Sequence, residues 1–186
     1  MRWQRLFDDL AAQLDEQTAA QRVGEVADRT RVEVGQIELA DRLRQATGAR
    51  ISLVVGAEIA LRCQLQRVGI DWLTVVDDLG AERLVMLRAV VAVGQLGTAV
   101  AAPRTRAAAQ IAERLDARHA LRAIARDRSG VRILNGPGVH SCGTIDRVGA
   151  DFIDLAIHPP GESRPVRPTM VQAMPISAIT QVVSSI

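Results

Sequence analysis

The chain has 186 residues, enough for one ordinary domain or two small ones. Hydrophobic residues make up 48% and charged residues 24%, which supports a packed core and excludes wholesale disorder. Net charge is only +2, and no apolar run reaches the roughly eighteen residues of a membrane span, so a membrane-embedded protein is not expected.

The first residues, MRWQRLFDDLAAQLDE, carry acids where a secretory signal needs an unbroken apolar segment. Leu6, Leu10 and Leu14 repeat every four residues, an amphipathic stripe suited to packing on its own domain or on a second helix. A helix is predicted over Thr30–Thr47, with Val34, Ile37 and Leu43 on its apolar side and Gly48 as its stop.

From residue 51 the pattern changes to strands, and it occurs twice. ISLVVGAEIALRCQLQRVGIDWLTVV lies without a gap over VRILNGPGVHSCGTIDRVGADFIDLA, 80 residues further on. Gly56/Gly136, Arg67/Arg147, Val68/Val148, Gly69/Gly149 and Asp71/Asp151 are identical, and Trp72/Phe152 is among the apolar exchanges. Alternation in Ile51-Ser52-Leu53 and Val131-Arg132-Ile133 has the period of a half-buried strand. Glycines and the shared Arg-Val-Gly-x-Asp mark tight turns, where each Asp is expected to stabilise the turn. Trp72 and Phe152 are expected in the core. A last pair of strands fits Arg83–Val93 and Met170–Val183, the second copy delayed by a proline-rich insertion, HPPGESRPVRP. Pro175 marks its strand as an edge or a bulge. Five short strands in about 50 residues suit a small barrel rather than a sandwich. A helix over residues 107–127 precedes the second copy, with Ile111, Leu115, Leu121 and Ile124 on one side.

The second copy resembles the Sm-like family, and among its members the bacterial RNA chaperone Hfq. The resemblance rests on a strand, a Gly turn, the Gly-x-Ile of Gly143-Thr144-Ile145, a bent apolar strand, and a closing Ile-Ser-x-Ile-x-x-Val over Ile176–Val182. It covers 131–186 and, more weakly, 50–93, and implies fold more than function. The family's RNA-contacting residues find no counterparts: Gly149 and Ile153 stand near the third strand, and Gln172, Ala173 and Met174 before the final turn. The chain as a whole also resembles a family of high-GC Gram-positive bacteria sometimes labelled transcriptional regulators of the Fis type, although it shows no helix-turn-helix pattern.

The fold expected is α+β, mainly β: two tandem five-stranded Sm-like or SH3-like barrels, each preceded by a helix, plus an N-terminal helical segment. The divisions are 1–48 (helical segment), 49–100 (first barrel), 101–130 (linker and basic helix) and 131–186 (second barrel). The resemblance implies that the barrels pair within one chain or, as a homo-oligomer, between chains.

Charge gathers in one place. Residues 101–130 hold seven Arg against three acids, a balance of +4, and Arg114, Arg118, Arg122 and Arg126 recur every four residues. On a helix they line one flank at about 6 Å intervals, a repulsive row that an anionic partner offsets. Guanidinium groups suit bidentate phosphate contact; a solvated face partly neutralised by Glu113, Asp116 and Asp127 is the competing reading. Arg67 and Arg147, repeated beside the turn in both copies, are further candidate contacts.

No catalytic motif is present: there is no phosphate loop, nucleophile elbow or HExxH. His119, His140 and His158 are scattered, and Cys63 and Cys142 lie in no Cys-x-x-Cys, so neither a metal site nor a cofactor is expected. The cysteines read as small core residues. With Trp3, Phe7, Trp72 and Phe152 as the only aromatics, platforms for stacking bases are few. The expectation is a cytoplasmic, non-enzymatic nucleic-acid-binding protein, RNA somewhat ahead of DNA, contacting phosphates through the arginine flank. The alternative is a protein-interaction module using barrel edges or the N-terminal helix.

Overall fold

Strand alternation becomes one continuous ladder in the computed structural model, which describes residues 35, 37–56, 60–97, 116–136, 138–159 and 170–184. Contacts divide the chain into Met1–Glu38 and Leu39–Ile186, and the second unit holds all the elements that follow. The Leu6-Leu10-Leu14 stripe, Arg114, Glu113 and most of the proline-rich insertion lie outside the described residues.

The first half comprises α1 (Leu39–Gln45), β1 (Arg50–Val55), β2 (Leu61–Val68), β3 (Trp72–Asp77), β4 (Glu82–Met86) and β5 (Val90–Gly94). The second repeats the order with α2 (Ala117–Asp127), β6 (Gly130–Gly136), β7 (Val139–Val148), β8 (Phe152–Ile157), β9 (Met170–Pro175) and β10 (Gln181–Ser184). A single turn of 3-10 helix precedes each closing strand, at Leu87–Ala89 and Ile176–Ala178, where the sequence predicts turns.

The ten strands among the described residues form one antiparallel sheet in the order β5-β1-β2-β3-β4-β10-β6-β7-β8-β9. Each half keeps the same internal order, and the joint between them is β4 against β10, with Gln181 opposite Val85, Val182 opposite Leu84 and Val183 opposite Arg83. Of the two expected pairings, the one within a single chain is therefore present. The repeat is also matched in its irregularities. The β2–β3 register slips between Leu65 and Arg67, and the β7–β8 register slips between Ile145 and Arg147. Such a bulge bends its strand and tightens the twist. The Arg-Val-Gly-x-Asp turns close alike, Gly69 N–H donating to the Trp72 carbonyl and Gly149 N–H to that of Phe152, both at 2.8 Å. Gly143 is demanded by its neighbour, since a Cβ there would lie 2.2 Å from the Ala156 carbonyl oxygen on β8.

Two cores form, one per half. Leu43, Ile51, Leu53, Leu65, Leu73 and Val85 pack in the first. Leu121, Ile133, Ile145, Ile153, Leu155 and Ile179 pack in the second, together with three residues of the first half: Trp72, Leu84 and Met86. Each such side chain contributes roughly 1.5–3 kcal/mol on burial, so the joint is held by side chains as well as by the ladder. Phe152 departs from its expected core place. It is 40% exposed while its repeat partner Trp72 is buried, because Trp72 faces the joint and Phe152 faces the sheet's far end.

The helices are shorter than their sequence patterns. Ile37 and Glu38 are not helical, and α1 begins at Leu39. The pattern over 107–127 is broken at Asp116, whose extended backbone and side chain cap α2, accepting from His119 N–H at 3.1 Å. Burial and the neighbouring Arg118 act in opposite senses on the Asp116 carboxyl, and Arg118 with the His119 N–H prevails, holding it below the ordinary carboxylate range. Asp71 does more than stabilise its turn, because its Oδ1 accepts from Ala117 N–H at 2.8 Å and so anchors the start of α2 to the first half.

Cys63 is buried in β2 and Cys142 is half-buried in β7. Burial raises the Cys63 thiol to about 11, against a smaller opposing pull from Arg83. Iodoacetamide at about pH 8 is expected to leave Cys63 unmodified in the native chain and to label it fully in denaturant. Mass spectrometry of the labelled peptides checks this, and rapid native labelling would show that β2 opens readily.

Candidate nucleic-acid interface

The amphipathic pattern of α2 sorts its residues cleanly. Ala117 and Leu121 are buried, Ala120, Ile124 and Ala125 pack partly against the second core, and Arg118, Arg122 and Arg126 are exposed on the other side. The helix ends where Arg128 takes a left-handed backbone (φ 58°), its N–H donating to the Ala125 carbonyl.

Because α2 lies against β7, its exposed arginines meet residues from the strand. Arg122, Arg126, Arg128 and Arg147, with His119, line a cleft of about 640 Å³ in which Asp146 is the only carboxylate among the described residues. Arg128 pairs with Asp146 at 2.8 Å. Arg147 approaches Asp154 at 3.3 Å but keeps 84% of its side chain in solvent, so this pair does little to fix it. Among the described residues no carboxylate pairs with Arg122 or Arg126. The cleft therefore carries an excess of positive charge on side chains already gathered by the fold.

The six arginines singled out from the sequence are thus separated. Arg122, Arg126 and Arg147 are brought together. Arg118 turns back to Asp116 at 2.5 Å, at the helix start. Arg67 lines a different groove, of about 580 Å³, between the first half and α2, where Glu82 and Asp127 balance Arg67 and Arg83. Arg114 lies outside the described residues. Two members of the cleft carry no signal in the spacing rule: Arg128 breaks the four-residue period, and His119 reads only as a stray histidine.

The matching helix of the first half carries a different set of charges. Aligning the helices on their fully buried leucines, Leu43 and Leu121, puts Asp41 where α2 has His119 and Arg44 where it has Arg122. Asp41 accepts from Arg44 at 2.6 Å, and the same guanidinium donates to the Gly69 carbonyl at 2.8 Å. One acid in place of a histidine neutralises the matching position.

Other chemistry is sparse. His158 is buried with its Nε2 2.9 Å from the Thr144 hydroxyl and its Nδ1 3.1 Å from the Pro159 carbonyl, a satisfied core histidine. Among the described residues there is no group of three or more His, Cys, Asp or Glu placed to hold a metal. Among the same residues no helix is long and apolar enough to cross a membrane. Comparison of the chain with protein-family models, curated proteins and solved structures returns no match.

Proposed function

We propose that the chain is a non-enzymatic nucleic-acid-binding protein of the cytoplasm, its two five-stranded halves being Sm-like barrels, and that it grips backbone phosphates in the α2–β7 cleft. The observation that carries this reading is the convergence of Arg122, Arg126, Arg128 and Arg147 with His119 around one carboxylate. Guanidinium groups bind phosphate oxygens in pairs, and each phosphate neutralised releases a counterion. Base readout is weak, because Trp72 is buried and Phe152 is the one exposed aromatic among the described residues. RNA is placed ahead of DNA by the Sm-like pattern of the second copy, which fits a regulator of transcripts better than one of promoters.

Fluorescence anisotropy with labelled single-stranded RNA, single-stranded DNA and duplex DNA, at several salt concentrations, tests the reading. The wild type is expected to bind with strong salt dependence and little sequence preference. The combined substitution R122Q/R126Q/R147Q is expected to weaken single-strand binding about tenfold or more and to lower the salt slope by about 2, at roughly 0.7 per lost phosphate contact. Arg118→Gln and Arg67→Gln are expected to change it little. An unaltered slope in the triple variant removes the cleft as the contact surface. Flat wild-type traces at low salt favour the alternative, a protein-interaction module, for which the sheet's two edges, β5 and β9, unpaired among the described residues, are the supporting observation.

A further inference from the structure

The cleft between α2 and β7 concentrates charge in a small volume. Its four arginines and one aspartate leave a balance of +3. Its volume of about 640 Å³ lies within the roughly 300–1,000 Å³ of small-molecule sites, room for one nucleotide rather than a length of strand. An internal nucleotide brings a single negative charge. Its phosphodiester has two free oxygens, enough to engage one guanidinium and leave the others repelling one another. A terminal phosphate monoester brings about two charges on three free oxygens, and a terminal triphosphate brings more on three linked phosphates.

The positive charge is a spot, not a stripe. Proteins that hold a single strand along its length line its path with a continuous basic groove and aromatic platforms. Here the charge is interrupted on each side. At the start of α2, Arg118 turns back onto Asp116 at 2.5 Å. On β8, Asp154 stands 3.3 Å from Arg147, and across the helix the neighbouring groove carries Glu82 and Asp127. Among the described residues the apolar lining of the cleft is Ala125 and Val148, so a base entering it finds no ring of Trp or Phe to stack on.

The lining also suits a chain end. Arg122 and Arg126 are exposed and Arg147 keeps 84% of its side chain in solvent, so these three are free to turn onto one group from two elements. Arg128 is already held by Asp146 at 2.8 Å and forms a fixed edge. His119 is exposed beside them. An imidazole can donate to a phosphate oxygen or accept from a protonated one. A terminal phosphate, with its second ionisation at about 6, offers both partners, whereas a diester has no P–O–H to give.

We propose, building on the phosphate role given to this cleft above, that the group it takes best is a terminal polyphosphate: the 5′-triphosphate of an RNA strand, ahead of the internal phosphodiesters of the same strand. The bases beyond that end are left unread, in keeping with weak sequence preference. A free nucleoside triphosphate presents the same chemistry, so the test separates the two sources.

Fluorescence anisotropy on the full chain uses one single-stranded RNA sequence, labelled at its 3′ end and carrying a 5′-hydroxyl, a 5′-monophosphate or a 5′-triphosphate. Affinity is expected to rise in that order, the triphosphate binding about tenfold or more tighter than the hydroxyl. A 5′-hydroxyl RNA lengthened by three nucleotides adds comparable charge along the strand and is expected to gain far less. R122Q/R126Q/R147Q is expected to bind the three 5′ forms alike, with far-ultraviolet dichroism and a thermal melt confirming its fold. Unlabelled ATP is expected to displace the triphosphorylated RNA only at about tenfold excess or more, since the strand adds contacts of its own. Displacement at equal concentrations overturns the assignment to a strand and gives the site to free nucleotides. If the three forms bind the wild type equally while the triple variant weakens them all, the cleft holds internal phosphates: its phosphate role stands and its preference for an end falls. An equal gain from the lengthened RNA, or a triphosphate gain that survives in the triple variant, also overturns the preference. Flat traces for every RNA at low salt remove the phosphate role and the preference together.

Discussion

Asp77→Ala is expected to cost about 3 kcal/mol of stability, lowering the melting temperature by roughly 6–12 °C. Asp77 is buried at the end of β3, where Oδ1 accepts from Leu79 N–H and Ala81 N–H at 3.0 and 2.9 Å. Oδ2 accepts from Arg83 Nη2 and Nε at 2.8 and 2.9 Å. Truncation leaves two turn donors and a guanidinium without their acceptor. The figure belongs at the lower end for a broken buried pair because the Arg83 side chain keeps 15% of its exposure and some access to water. Arg83 also reaches Gln181 on β10 at 3.4 Å, so the loss extends to the joint between the halves. Burial pushes the Asp77 carboxyl up, but the hydrogen bonds from Arg83, Ala81 and Leu79 and the charge of Arg83 outweigh it and hold the group below its ordinary range. A depressed folded-state value contributes stability that is complete above the unfolded value, about 4, and is lost as pH falls below it. Urea unfolding of the wild type, Asp77→Ala and Asp77→Asn at neutral pH and at about pH 3 measures both parts. Asp77→Asn keeps an acceptor for the turn and is expected to lose less at neutral pH while flattening the acid slope. A loss under about 1 kcal/mol for Asp77→Ala, or an acid slope unchanged by Asp77→Asn, would refute the assignment.

The strands were legible because period-two alternation is a local property, and the repeat carries it twice. Ile51, Leu53 and Val55 point inward in β1 as Val131 and Ile133 do in β6, and the shared Arg-Val-Gly-x-Asp places the same turn in both halves. The joint was not legible. Pro175 did mark β9 as an edge, but edge pairing is made by backbone groups that nearly every residue possesses, so no pattern tells that β10 covers β4. The same blindness put Phe152 in the core beside Trp72. For the site, four-residue spacing found Arg122 and Arg126 and the repeat found Arg147, but their meeting depends on how α2 lies on β7, a tertiary fact. Spacing also included Arg118, whose local partner Asp116 is two residues away and held in place by its capping role. Arg128 joins the cleft through the left-handed turn that ends the helix, which no charge period anticipates.

Trp72→Ala and Phe152→Ala occupy equivalent repeat positions and are expected to differ widely. Trp72 packs in the second core with Leu121 and Met86 while belonging to the first half, so its truncation opens a cavity at the joint and is expected to cost about 3–5 kcal/mol. The two halves then unfold less cooperatively, because the side chain removed is one that spans them. Phe152 is 40% exposed and rests chiefly over Gly149, whose added Cβ would meet its ring. Its truncation is expected to cost under about 1 kcal/mol in the dilute, single chain. Equilibrium urea unfolding at low protein concentration measures the difference. Equal costs in the dilute chain would mean that Phe152 is as buried as Trp72, and that the sheet does not end at β9. The pair of substitutions therefore reads the fold from one chemical change made twice, at the joint inside the sheet and near its end.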